Sequence, residues 1–147
     1  MKTKFEPQDT DFESRVRKSF SRQRVMSMLG AALTIVEPGI VEIEIPARED
    51  LTQQDGFMHA GIVTTVLDSA CGYAAYTLMP ADTSVLSVEF KVNLLAPATG
   101  NVIRAHAEVK RFGRTLTVCS ADAFAGENIC ATMLATMLCR GTKPNRN

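Results

Sequence analysis

The chain predicts an α+β fold in which a curved antiparallel sheet wraps one long central helix, with an additional helix ahead of it. Three observations carry that prediction. Residues 61 to about 78 form a continuous run of small and apolar residues without proline, the pattern of a buried helix. Four strand-like segments follow, and the first two alternate apolar and polar side chains, the period of a sheet with one dry face. Neither a lone helix nor a one-faced sheet can cover its own apolar surface, so laying one across the other is the simplest packing.

At the start of the chain, Thr10 and Glu13 have capping-box spacing and Phe12, Val16 and Phe20 recur every four residues. This predicts a helix over about 11–29, ended by Gly30. Glu37-Pro38-Gly39 lies between two β-branched runs and predicts a hairpin over 31–45, closed by Pro46. Residues 47–58 are polar and turn-rich. The central helix stops at Pro80 and Asp82, and strands are expected over 84–95, 101–112, 114–125 and 128–138. In the first of these Leu86, Val88, Phe90, Val92 and Leu94 are expected on one face, with Ser87, Glu89, Lys91 and Asn93 on the other. Turns at Pro97 with Gly100 and at Phe112-Gly113-Arg114 connect them. The expected organisation is a flexible N-terminus over 1–10, a single domain over 11–139 and a flexible tail over 140–147.

A chain of 147 residues is one domain by size, and 46% hydrophobic with 22% charged residues is a globular composition. A formal charge of zero offers no field for nucleic acid. No signal-type run and no apolar stretch of membrane-spanning length is visible, so a cytoplasmic address without membrane insertion is expected. Cys71, Cys119, Cys130 and Cys139 are widely spaced and read as buried thiols, with no metal site. No P-loop, dinucleotide fingerprint or Gly-x-Ser-x-Gly elbow occurs, so no cofactor is expected.

Gly61, Thr65, Asp68, Gly72 and Ala75 fall on one stripe of the central helix. Small residues there permit close approach of another helix. Asp68 lies far beyond the first turn, where capping or the helix dipole would explain an acid, and burying it without a partner is costly. Held by donors, such a carboxylate can activate water or attack a carbonyl. The amides of Ala60 and Gly61 are expected unpaired at the helix start, where they could stabilise an oxyanion. Ala60 and Asp68 are eight positions apart, about 12 Å along a helix. One carbonyl cannot touch both. If both act on one substrate, the aspartate belongs to a second subunit in a two-fold dimer.

Gln53-Gln54-Asp55-Gly56 leading to His59-Ala60-Gly61, with Asp68 nine residues after the histidine, resembles the hotdog-fold acyl-CoA thioesterases of the phenylacetate-pathway (PaaI-like) type. The segments SVEFKVNLLAPA and VKRFGRTLTVCSADAF are similar to the same family's long strands. The resemblance spans roughly residues 30–138. It implies a hotdog fold, a dimer or dimer of dimers with sites between subunits, and an acyl-CoA substrate. By position, Asp68 resembles the catalytic carboxylate, the Ala60 amide the oxyanion donor, Gly61 the completion of the helix start, and His59 a site-ordering residue. Gln53 matches a side chain that positions thioester or water, and Ser87 a strand hydroxyl that orients water. The family more often carries glycine where Ala60 stands, which adds a methyl near the site.

The implied reaction is hydrolysis of an acyl-CoA thioester to CoA and a carboxylic acid, with Asp68 as general base or nucleophile. Lys91, Lys110, Arg111 and Arg114 are candidates for the CoA phosphates, against a plain reading as solvated surface. Tyr73 and Tyr76 read first as packing residues and second as an acyl-pocket wall, which Phe57, Met58 and Leu86 could also border. The rival readings are a non-catalytic acyl-CoA sensor, a hotdog hydratase or dehydratase, and a purely structural or protein-interaction domain.

Overall fold

A computed structural model describes residues 5–141; parts of both expected flexible ends, 1–4 and 142–147, lie outside them. The expected first helix is two. Helix α1 (Phe12–Arg22) and helix α2 (Arg24–Leu29) are separated at Gln23, whose backbone is extended at φ −78° and ψ 101°. The periodicity of the segment did not show this break, because no proline or glycine marks it. The Gln23 amide closes α1 on the Phe20 carbonyl and its own carbonyl accepts from Met26 and Ser27, so one residue ends one helix and starts the next. The turn lets Met26 and Leu29 bury completely. Gly30, at φ 67°, ends α2 in the left-handed conformation that glycine adopts without strain.

The hairpin of β1 (Ala32–Glu37) and β2 (Ile40–Pro46) turns through Gly39 at φ 76°. Its amide donates to Thr77 Oγ1 at 2.8 Å, which ties the turn to the end of helix α3 (Ala60–Tyr76). Strands β3 (Thr83–Leu94), β4 (Val102–Phe112), β5 (Leu116–Ala125) and β6 (Asn128–Gly141) complete one antiparallel sheet in the order β1-β2-β4-β5-β6-β3. This is the hotdog arrangement: the sheet curls around α3, with the N-terminal helix beside it.

The core lies between α3 and the sheet's inner face. Val63, Val66, Leu67 and Ala70 of α3 are almost or fully buried, against Ile43 and Ile45 of β2. The middle strands offer alanines, among them Ala105, Ala107, Ala121 and Ala135, all 2% exposed or less. Small side chains at the sheet centre let the helix lie close without voids. Arg15 of α1 closes the other end of α3: its guanidinium donates to the carbonyls of Tyr76 (3.1 Å), Met79 (2.8 Å) and Pro80 (3.2 Å), and stacks on the Tyr76 ring.

Strand β3 corrects the expected alternation. Ser87 pairs with Met137 and Glu89 with Thr136, so Val88 is an extra residue in a β-bulge. A bulge reverses the side-chain parity beyond it. Ser87 therefore shares the inner face with Phe90, Val92 and Leu94, while Leu86 stands opposite Leu138 on the outer face.

Candidate active site

Asp68 leaves the third turn of α3 toward β3. Because the bulge turns Ser87 inward, its hydroxyl donates to Asp68 Oδ1 at 2.6 Å. The second carboxylate oxygen accepts no hydrogen bond among the described residues, and Asp68 lines a cavity of about 420 Å³. The stripe around Asp68 is open rather than packed: Thr65, Asp68 and Gly72 are all part-exposed, and only Ala75 at its far end is fully buried. A half-buried carboxylate with one oxygen held by a hydroxyl and the other free can accept a proton from water.

At the start of the same helix, His59 is the N-cap. Its Nδ1 accepts from the Gly61 amide at 2.9 Å, which puts the proton of the neutral ring on Nε2. This corrects the expectation of two unpaired amides. Gly61 is engaged, whereas the Ala60 amide has no acceptor among the described residues and sits at the positive end of the helix. Gly61 also has a steric reason: a Cβ there would lie 3.0 Å from His59 Nδ1.

Ala60 borders a second cavity of about 390 Å³, whose wall is largely apolar and includes Gln53, Phe57, Leu94 and Pro97. Gln53 is ordered by its own turn, where its Oε1 accepts from the Phe57 amide at 3.3 Å and its backbone amide donates to the Phe57 carbonyl at 2.8 Å. The unbroken helix keeps Ala60 and Asp68 about 12 Å apart, and they open on different cavities. Within one chain the candidate residues thus form two half-sites: Asp68 with Ser87, and Ala60 with His59 and Gln53.

A family model described as the thioesterase superfamily matches residues 55–132, more than half the chain, a range that includes His59, Ala60, Asp68 and Ser87 and begins just after Gln53. The chain belongs to the thioesterase superfamily. The solved structure of a thioesterase family protein from Silicibacter pomeroyi is 52% identical, covers 89% of this chain and 99% of its own, and superposes with a TM-score of 0.88. A phenylacetic acid degradation-related protein from Ralstonia eutropha JMP134 shares the fold at 20% identity and a TM-score of 0.79, over 86% of this chain and 98% of that one. The 1,4-dihydroxy-2-naphthoyl-CoA hydrolase of Listeria monocytogenes is 24% identical over 90 residues, 61% of this chain and 73% of that protein.

In this thioesterase-superfamily chain the basic candidates stand apart from both cavities. Lys91 reaches Asn93 at 3.3 Å, Lys110 reaches Glu108 at 3.4 Å, and Arg111 and Arg114 are exposed on either side of Gly113. Tyr73 and Tyr76 are at once packed, edge to face, and part of the Asp68 cavity wall. The four cysteines are free, and burial pushes the Cys119 thiol up to about 12. Burial raises Cys71 too, with the neighbouring Cys119 and Asp68 adding to it. Among the described residues no three His, Cys, Asp or Glu side chains cluster in a way that could hold a metal ion, and no helix is long and apolar enough to cross a membrane.

The sequence reading missed Ser19, Arg22 and Gln23, which line the Asp68 cavity from the end of α1. On the single helix expected over 11–29 they fall at i, i+3 and i+4, although Gln23 itself lies just past the end of α1. That spacing was legible; what the face meets was not.

Proposed function

We propose that this protein hydrolyses an acyl-CoA thioester, as a PaaI-like member of its superfamily, at sites formed between two subunits. The observation that carries the proposal is the pairing of a hydroxyl-held Asp68 with an acceptor-free Ala60 amide on one helix, too far apart to serve one carbonyl from the same chain. In a two-fold dimer with antiparallel central helices, Asp68 of one subunit comes beside Ala60 of the other. Strand β3 supports that dimer. It is an edge strand of twelve residues, and its Val88, Phe90 and Leu94 are 42–55% exposed, an unusually apolar edge to leave uncovered. The CoA ester named for the Listeria relative supports the substrate class.

In the proposed reaction the Ala60 amide donates to the thioester oxygen, with Gln53 fixing the acyl-sulfur region. Asp68 takes a proton from water oriented by Ser87, and the water oxygen adds to the carbonyl carbon. Collapse breaks the carbon–sulfur bond, and the CoA thiolate leaves and is protonated. An anhydride formed by direct attack of Asp68 is the alternative, which transfer of oxygen-18 from water into Asp68 during a single turnover would reveal.

The test is release of free CoA thiol from acetyl-, hexanoyl-, decanoyl-, benzoyl- and phenylacetyl-CoA. Asp68→Ala is expected to lower kcat by about 10²–10⁴, the usual range for a general base. Ala60→Pro deletes the amide hydrogen at a position where proline suits a helix start, and the extended backbone of His59 accepts a following proline. It is expected to keep the fold and lose about 10²–10³ in rate. Full activity in either variant would overturn the mechanism, and CoA-ester binding without turnover in the wild type would make the protein a sensor.

A further inference from the structure

The Asp68 cavity has a polar end that the proposed chemistry leaves unused. Beyond the Asp68 carboxylate its wall is formed by the last turn of α1 and the residue after it, which present Ser19, Arg22 and Gln23. Gln23 Oε1 accepts from Ser69, the neighbour of Asp68, at 3.3 Å, which orients its amide nitrogen without giving that nitrogen a partner among the described residues. Arg22 is not engaged in an ion pair or hydrogen bond among those residues, although Asp68 shares the cavity. The Ala60 cavity is by contrast mostly apolar. An aliphatic acyl tail against the half-buried Gln23 would strip water from its amide and return no hydrogen bond. A guanidinium beside an amide N–H instead matches the two oxygens of a carboxylate.

We infer that Arg22 and Gln23 form an acceptor site for a terminal carboxylate on the acyl group, so that the preferred substrates are short dicarboxylic acyl-CoA thioesters. The inference rests on the thioesterase reading above and specifies its substrate class. An anion at Arg22 has two sources in such a substrate, the acyl terminus and the CoA phosphates. The acyl terminus of a short substrate is the nearer of the two, because Arg22 and Gln23 line the same cavity as Asp68, which acts at the thioester carbon, whereas the phosphates stand at the far end of the pantetheine arm. The apolar Ala60 cavity then takes the start of that arm.

The experiment compares adipoyl-CoA with hexanoyl-CoA, equal in chain length and different only in the terminal carboxylate, on wild type, Arg22→Ala and Arg22→Lys. Arg22 is exposed, so its replacement leaves the core untouched. The expected wild-type kcat/KM for adipoyl-CoA exceeds that for hexanoyl-CoA by about tenfold, the size of one charge-assisted hydrogen bond. Arg22→Ala brings the ratio near one, and Arg22→Lys restores part of it. A wild-type ratio at or below one overturns the inference and leaves thioester hydrolysis standing. Equal loss on both esters in Arg22→Ala, with weaker inhibition by free CoA, also overturns it and assigns Arg22 to a phosphate. Absence of thiol release from every ester removes the thioesterase reading and this inference together.

Discussion

Asp68 was legible as an anomaly, since a carboxylate at the third turn of an apolar helix demands a partner. The family resemblance singled out Ser87 as a water-orienting hydroxyl without pairing it to Asp68, while simple alternation put that serine on the opposite face from Phe90. A single inserted residue, Val88, reconciles the two. Glu42 is the reverse case. Alternation puts it on the sheet's outer face, yet it is 7% exposed, with Arg104 at 3.0 Å, His106 at 3.1 Å and Thr34 at 2.9 Å. Burial pushes its carboxyl up, and the hydrogen bonds from Arg104, Thr34 and His106 outweigh that and hold it below the ordinary carboxylate value. With the folded value lowered, the ionised group stabilises the fold above the unfolded pKa, and that contribution fades as pH falls through the folded value. Glu42→Gln is expected to cost about 2 kcal/mol at pH 7 in urea unfolding. The gap to wild type should narrow as pH falls below the ordinary carboxylate range; a gap independent of pH would remove this role.

Among the elements, the central helix, the hairpin and the four later strands were legible because each is announced by local signals: continuous apolarity, a Pro-Gly turn, or alternation. The division of the first helix was not, because the extended backbone at Gln23 is stabilised by what α1 and α2 each pack against. Arg15 makes the same point. It reads as a solvated helical residue, yet it donates to the last carbonyl of α3, that of Tyr76, and to the Met79 and Pro80 carbonyls in the turn that follows. Carbonyls at a helix end and in the turn after it need donors, and Arg15 adds to those that the Met79 amide gives Tyr76 and the Thr83 hydroxyl gives Pro80. Arg15→Ala is expected to destabilise the protein by about 2–3 kcal/mol, the size of hydrogen bonds from a charged donor. It should also loosen α1 from the Asp68 cavity, read as faster amide exchange across residues 12–22. A change within about 0.5 kcal/mol, ordinary for a surface position, would show the contact to be incidental.

For the whole molecule, the separation of the half-sites makes a prediction that no single-subunit mechanism shares. Mixed and reassembled, Asp68→Ala and Ala60→Pro subunits give hybrid dimers in which one of the two sites keeps both functional groups. With equal mixing, half the dimers are hybrids with one working site each, so activity should return to about a quarter of wild type. If both groups acted within one chain, mixing would restore nothing.

By itself the sequence determined the α+β class, the order of the elements and the suspicion attached to Asp68 and to the start of its helix. Those features depend on side-chain periodicity and on groups that a helix must leave unpaired, and both are local. Only the tertiary structure decided that Ser87 faces Asp68, that Gly61 is engaged and Ala60 is not, and that α1 brings Ser19, Arg22 and Gln23 to the cavity. Each depends on contacts between residues distant in the chain, or on one bulge or one ring orientation that no repeating pattern encodes.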